Sequence, residues 1–379
     1  MVGIYNYNIK ERGVLMDVKK MNCTDFGEYK VYENDKYKLV RSKDYNYNFN
    51  KENGMFIRWG EALDIDPDMS KFGPEILDLE ISQGKCMGMC PECYKCNGAV
   101  ENVHNMTFEE FKNIFHKVSK NGLLNQLAFG ICDVGTNPHF FNMMRYAREN
   151  GVIPNYTCHG LDMNEEYAKL TAEICGAVAV SVYNKEKSYN AVKMLTEAGM
   201  KQVNFHCIAH DKSFDKIKSI IDDIKTDDRL KGLNALVLLR YKPKGNGVGK
   251  FNQLTIEQYK EILKYAEDKG VNLGFDSCSA PLYLEAIKDD KDYKQKSMYV
   301  EPCESSLFSS YINCKGEFYA CSFCEGEGMW KEGLNVLECN DFVEDIWYND
   351  KTIKFRNALL GNCRNCPMFN LCNNEVNNG

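Results

Sequence analysis

The stretch Cys86-Met-Gly-Met-Cys90-Pro-Glu-Cys93-Tyr-Lys-Cys96 constrains this chain more than any other. Three thiols fall in a C-x3-C-x2-C run, and a fourth follows at Cys96. Thiolates are soft ligands, and so dense a group points to zinc or to an iron–sulfur cluster. Structural zinc sites commonly take two separated C-x2-C pairs that close four ligands, a pattern this run lacks. Gly84, Gly88 and Pro91 suit a loop wrapped closely around a metal group, because glycine accepts backbone angles that other residues avoid. Cys96 reads more simply as a small apolar residue.

The distribution of the 18 cysteines carries the argument further. A disulfide framework needs an oxidising compartment. The start, Met1-Val-Gly-Ile-Tyr-Asn-Tyr-Asn, has no basic region followed by an apolar core, so a cytoplasmic protein with free thiols is expected. Cys86 to Cys96 form one group, and Cys303, Cys314, Cys321, Cys324, Cys339, Cys363, Cys366 and Cys372 form another. Cys23, Cys132, Cys158, Cys175, Cys207 and Cys278 are scattered, mostly in apolar runs, and read as core packing. Two ligand-like groups imply two metal centres. No run of about twenty apolar residues exists, so no membrane span is expected. The net charge of −7 argues against tight binding to a phosphate backbone.

At 379 residues the chain is long enough for one large α/β domain with smaller attachments. Residues 1–75 read as a β-rich segment: Glu28-Tyr-Lys-Val-Tyr and Tyr37-Lys-Leu-Val alternate like half-buried strands, broken at Glu33-Asn-Asp-Lys. Asn53-Gly54 predicts a hairpin turn between Tyr45–Asn50 and Met55–Trp59. From Ile76 onward strands and helices alternate. Strands are expected at Ile76–Ser82, Gln126–Cys132, Ile153–Cys158, Val178–Tyr183, Val203–Ala209 and Ala235–Tyr241, with a last one at Val271–Asp276. Thr107-x-x-Glu110 and Thr255-x-x-Gln258 are capping boxes that open helices, and Asp162-x-x-Glu165 predicts another helix start. Such alternation means parallel βαβ units, in an open sheet or a barrel. Periodicity does not choose between the two.

The cysteine run after a first strand resembles the signature of the radical SAM enzymes. That resemblance implies a partial (β/α)6 TIM-like barrel over residues 76–290, with Cys86, Cys90 and Cys93 binding three irons of a [4Fe–4S] cluster. S-adenosylmethionine (SAM) then chelates the fourth iron. The family's aromatic residue before the third cysteine is replaced by Glu92, and the nearby aromatic is Tyr94, the ring expected beside the SAM adenine. In Phe129-Gly-Ile-Cys-Asp133-Val-Gly-Thr-Asn-Pro138, counting back from the proline puts Asp133 on the family's glutamate. It is expected to accept hydrogen bonds from the SAM ammonium; its plainer role is to cap a turn. Ser181 on the fourth strand and Ile208 on the fifth occupy further SAM-contact positions, and a strand serine is otherwise structural. His206 and His210 are candidate acid–base groups, although a lone strand histidine is more often structural. Lys242-Pro-Lys-Gly-Asn-Gly follows the sixth strand without a Walker pattern and reads as a rim loop. Asp276 ends the last strand and is either a substrate base or a strand-end cap.

In the C-terminal part, Cys303 precedes Gly316 by twelve intervening residues, and four more separate Gly316 from Cys321. The alternating runs around Lys315-Gly316 predict a hairpin. Cys363-Arg-Asn-Cys366 and Cys372 follow, and the x3-spaced cysteine that would continue a longer motif is replaced by Val376. This arrangement resembles the SPASM and twitch modules, which implies a domain over residues 291–379 with one auxiliary [4Fe–4S] cluster on Cys303, Cys321, Cys363 and Cys366. Cys324 and Cys372 are left as substitutes or as part of a second cluster, and structural zinc uses similar thiols.

The chemistry implied is reductive cleavage of SAM to methionine and a 5′-deoxyadenosyl radical, which removes hydrogen from a substrate carbon. An electron donor such as flavodoxin or ferredoxin goes with it. Modules of this kind accompany oxidation or cross-linking of peptide and protein side chains, and that is the leading expectation. Residues 1–75 lack the three-helix pattern of the winged-helix domain that many peptide maturases carry. The alternatives are a twitch-type dehydrogenase or cyclase acting on a small molecule, and a non-catalytic zinc-binding protein.

Overall fold

The computed structural model describes residues 18–97, 102–362, 364 and 366. Cys363 and Cys372 lie outside them. Five strands at the start, β1 (Asn22–Asp25), β2 (Lys30–Glu33), β3 (Tyr37–Arg41), β4 (Asn46–Asn50) and β5 (Phe56–Trp59), form an antiparallel sheet in chain order. The hairpin expected at Asn53-Gly54 joins β4 to β5, with Gly54 in the left-handed region at φ +74°.

The second sheet is built from β6 (Ile76–Glu80), β9 (Gln126–Gly130), β10 (Ile153–Cys158), β11 (Ala177–Ser181), β12 (Val203–Ala209), β13 (Ala235–Arg240) and β14 (Leu273–Phe275), all parallel. Between them run α1 (Phe108–Ser119), α2 (Phe140–Glu149), α3 (Glu165–Ile174), α4 (Lys185–Glu197), α5 (Phe214–Thr226) and α6 (Ile256–Lys269). These strands lie side by side in chain order. Right-handed crossovers therefore put the connecting helices on one face. That face is apolar: Leu77, Leu79, Phe129, Val180, Phe205 and Leu238 are all buried. The alternate positions carry Glu80, Asn155, Thr157, Ser181, Asn204 and His206, beside Ile208, Val237 and Leu239, so the face turned away from the helices gathers the sheet's polar side chains, as the period of two allows.

Two short strands, β7 (Ser82–Gln83) and β8 (His104–Asn105), pair antiparallel and close the base of the cysteine loop. After β14 come α7 (Ala280–Ile287) and α8 (Tyr293–Ser297). The expected hairpin follows as β15 (Ser309–Ile312) and β16 (Glu317–Tyr319). It does not stand apart: β15 pairs parallel with β6, and β17 (Leu334–Asn335) completes a sheet of ten strands. Helix α9 (Asp350–Leu360) ends the described fold.

Both capping boxes are formed, Thr107 with Glu110 and Thr255 with Gln258. Helix α3 opens at Asn164, whose side chain accepts from the Tyr167 N–H, rather than at Asp162. Asp162 instead accepts from Gly135 N–H in a neighbouring loop at 3.2 Å. The five-stranded sheet meets the large sheet at the N-terminal ends of its strands, where Tyr47 Oη donates to Leu123 O and Lys38 Nζ to Leu124 O. It sits at the end opposite the cysteine loop. Among the described residues no helix is long and apolar enough to cross a membrane.

Candidate active site

The cysteine loop leaves the C-terminal end of the β6–β7 segment. Gly84, at φ +115°, has no room for a side chain, since a Cβ there meets Asn102 O at 1.9 Å. The left-handed residue between the first two thiols is Met89, at φ +42°, and not Gly88. Gly88 is needed for another reason: a Cβ would lie 2.9 Å from His159 Cδ2 and 3.3 Å from Cys90 Sγ. Backbone N–H groups turn onto the sulfurs, Gly88 onto Cys86 and both Lys95 and Asn97 onto Cys93. Hydrogen bonds from the Cys132 thiol and from His159 hold the Cys86 thiol well below its ordinary range against the opposing effect of burial. A thiol so placed is ready to ligate, because the thiolate is the binding form.

His159, at the end of β10, donates from Nε2 to Asp133 Oδ1 at 2.6 Å. The Leu161 N–H points at its Nδ1 at 3.0 Å, which leaves the ring proton on Nε2. Asp133 Oδ1 also accepts from Met87 N–H at 2.8 Å. Ligand atoms of Cys86, Asp133 and His159 lie within 4.8 Å of one another. The sequence assigns Asp133 to the SAM ammonium and gives His159 no role of its own.

A cavity of about 230 Å³ adjoins the loop, lined by Glu92, Ser181, Tyr183, His206, Ile208 and His210 among others. Glu92 Oε1 pairs with His210 Nε2 at 3.0 Å, while Glu92 Oε2 and His210 Nδ1 are buried without a hydrogen-bond partner among the described residues. Burial pushes His206 down to about 4, so it is neutral near pH 7. The residues read from the sequence as SAM contacts are thus divided. Ser181 and Ile208 line this cavity. Asp133 lines a second, more open depression of about 460 Å³ with Met87, Asp162 and Tyr167. Tyr94 lines neither; its ring packs on Phe323 with centroids 4.5 Å apart.

Asp276 is committed to local structure. Its Oδ1 accepts from Ser279 N–H and Oγ and from Arg240 N–H, and its Oδ2 from Lys242 Nζ at 2.9 Å. Burial works against its charge, but Lys242 and these donors outweigh it and hold the carboxyl below its usual range. This is the strand-end cap rather than a free base.

The second thiol group gathers beside the hairpin. Cys303 and Cys366 share a hydrogen bond, Cys321 and Cys324 stand 3.4 Å apart at Sγ, and Cys278 lies within electrostatic reach of Cys303 and Cys321. Ser305 N–H turns onto Cys303, and the Phe323 and Cys324 N–H groups onto Cys321. Cys324 was only a substitute in the sequence reading and Cys278 a core residue. The C-x2-C spacing of Cys321 and Cys324 was the available signal for the first; nothing local marks the second. Cys314 and Cys339 point elsewhere, to Gln83 Oε1 and Val336 O.

No family model and no curated protein sequence matches the chain. Solved structures do. SuiB of Streptococcus suis, bound to its precursor peptide SuiA, superposes with a TM-score of 0.65 at 14% identity, covering 87% of this chain and 90% of SuiB. SuiB bound to S-adenosylmethionine gives 0.58 at 16% identity, covering 77% and 68%. The enzyme anSMEcpe with bound AdoMet gives 0.56 at 17% identity, covering 79% and 84%. These are radical SAM enzymes. The chain has the radical SAM fold. That fold accounts for where the site lies: Cys86 to Cys93, Asp133, His159, Ser181 and Ile208 all stand at the C-terminal ends of parallel strands, where α/β folds place their chemistry.

Proposed function

We propose that this chain is a radical SAM enzyme acting on a peptide or protein side chain. The observation that carries the reading is the loop of Cys86, Cys90 and Cys93 at the end of the first parallel strand, with backbone N–H groups turned onto two of its sulfurs, beside a cavity that holds unpaired polar atoms. The donor set suits an iron–sulfur cluster, whose sulfurs are tuned by such hydrogen bonds. Cys86, Cys90 and Cys93 would hold a [4Fe–4S] cluster. Cys303, Cys321 and Cys366, with Cys324 or the sequence-assigned Cys363, would hold an auxiliary one. When bound, the first cluster supplies the electron that cleaves SAM and so creates a hydrogen-abstracting carbon radical.

The chain's own residues prepare the ground. Ser181 offers a hydroxyl and Ile208 an apolar wall to the cavity, and Glu92 offers a free carboxylate oxygen. Neutral His206 adds no positive charge there. The peptide class is supported by the neighbours: SuiB is bound to a precursor peptide, and anSMEcpe to a peptide named Cp18Cys. A partial barrel over residues 76–290, an auxiliary domain over 291–379, a cytoplasmic setting and a flavodoxin- or ferredoxin-type donor belong to the same reading.

The test is anaerobic reconstitution with iron and sulfide, then dithionite and SAM with a panel of cysteine- and serine-containing peptides. The wild type is expected to form 5′-deoxyadenosine, and a Cys86→Ala/Cys90→Ala/Cys93→Ala variant none. Zinc as the sole bound metal, with no response to SAM, sinks the reading and favours a zinc-binding protein.

A further inference from the structure

The Lys242-Pro-Lys-Gly-Asn-Gly loop, left as a rim loop by the sequence, touches both thiol groups. At one end, Asn246 N–H donates to Cys93 O at 2.9 Å and Asn246 Nδ2 to Cys90 O at 3.4 Å. Gly245, at φ +60°, lies so close that a Cβ would be 2.5 Å from the carbonyl oxygens of Cys93 and Tyr94. At the other end, Lys244 Nζ donates to Phe323 O at 2.9 Å and to Glu325 O. Phe323 and Glu325 flank Cys324. The two thiol loops also meet directly: Tyr94 packs on Phe323, and Lys95 pairs with Glu325 and with Glu80 on the first parallel strand at 3.1 Å. Five backbone carbonyls from two loops more than two hundred residues apart are thus engaged or approached by three consecutive residues.

We propose that Lys244 and Asn246 are positioning residues of a clasp through which the C-terminal thiol site sets the backbone of Cys90–Tyr94, so that filling the second site organises the first. The inference rests on both thiol groups holding metal, the premise of the proposed function, but not on which metal. Hydrogen bonds from a charged donor to backbone carbonyls are the stronger kind, and the Lys244 side chain is half-buried. Filling the C-terminal thiols fixes the loop that carries Phe323 and Glu325, Lys244 follows those carbonyls, and Asn246 two residues on carries the constraint to Cys90 and Cys93. Tyr94 and Lys95 reinforce the contact.

The experiment is hydrogen exchange read by mass spectrometry on the full-length, metal-reconstituted protein. It compares wild type, Cys321→Ala/Cys324→Ala, Lys244→Met and Lys244→Arg. Amides of residues 90–96 are expected to exchange about tenfold faster in the thiol-less and Lys244→Met proteins, and near wild-type rates in Lys244→Arg, which keeps a donor. Helix α6 should stay protected throughout. Wild-type exchange at residues 90–96 in Lys244→Met, with α6 intact, overturns the clasp. If Lys244→Met also loses α6 protection, Asn246→Ala takes its place: faster exchange at residues 90–96 supports the clasp and unchanged exchange overturns it. The 5′-deoxyadenosine assay separates the two ideas. Coupled loops without SAM cleavage sink the function and leave the clasp, and SAM cleavage with uncoupled loops does the reverse.

Discussion

Glu92 and His206 both line the cavity beside the cysteine loop. The sequence marks Glu92 as the place where the resemblance to radical SAM enzymes departs from its aromatic residue. Only the folded chain pairs it with His210, across more than a hundred residues, because that contact depends on the loop meeting the end of β12. His206 shows the cost of burial. Its pKa falls from about 6.5 in the unfolded chain to about 4 in the native one. The unfolded state therefore binds more protons between those values, and stability rises with pH across the window. The contribution is complete above about 6.5 and is lost as pH falls through about 4. Between pH 7.5 and 5.5 the wild type should lose about 1 kcal/mol more unfolding free energy than His206→Asn. Parallel urea titrations of the two proteins check this, and equal losses would mean that the ring is not desolvated.

At the scale of elements, local chemistry was readable wherever it was self-contained. Thr107 with Glu110 and Thr255 with Gln258 set their helix starts because both partners lie within four residues. The Asn53-Gly54 turn was legible for the same reason. The start of α3 was not, because Asp162 is drawn to Gly135 by tertiary packing and leaves the cap to Asn164. The rim loop is the sharpest instance, since Gly245 is constrained by a carbonyl pair that its own sequence does not contain. Gly245→Ala combines a left-handed backbone with a 2.5 Å approach to those oxygens, a cost of about 2–5 kcal/mol. Its melting temperature should drop, and the reconstituted variant should hold less metal than the wild type. A variant that keeps wild-type stability and metal would show that the loop yields easily.

The whole molecule is tied together at the end remote from the Cys86 loop, beside the start of the second thiol group at Cys303. Arg58 on β5 donates to Glu75 at 2.6 and 2.8 Å, reaches Glu304 at 3.3 Å, and lies over the Phe308 ring at 3.6 Å. Arg58→Met leaves the Glu75 carboxyl, 1% exposed, without its cation. We expect a loss of about 3–5 kcal/mol in chemical denaturation. A loss below about 1 kcal/mol would mean that the Tyr45 hydroxyl alone satisfies Glu75. This network joins the β-rich segment both to the residue before β6 and to the chain just after Cys303. Taken by itself, the sequence determined what short-range chemistry governs: the thiol spacings, the strand–helix alternation, the caps and the turns. The tertiary structure decided which distant groups meet. It brought Cys278 and Cys321 to Cys303, His159 to Asp133, the rim loop to both thiol groups and β15 to β6. These are contacts across tens to hundreds of residues, set by how whole elements pack, and no local period records them.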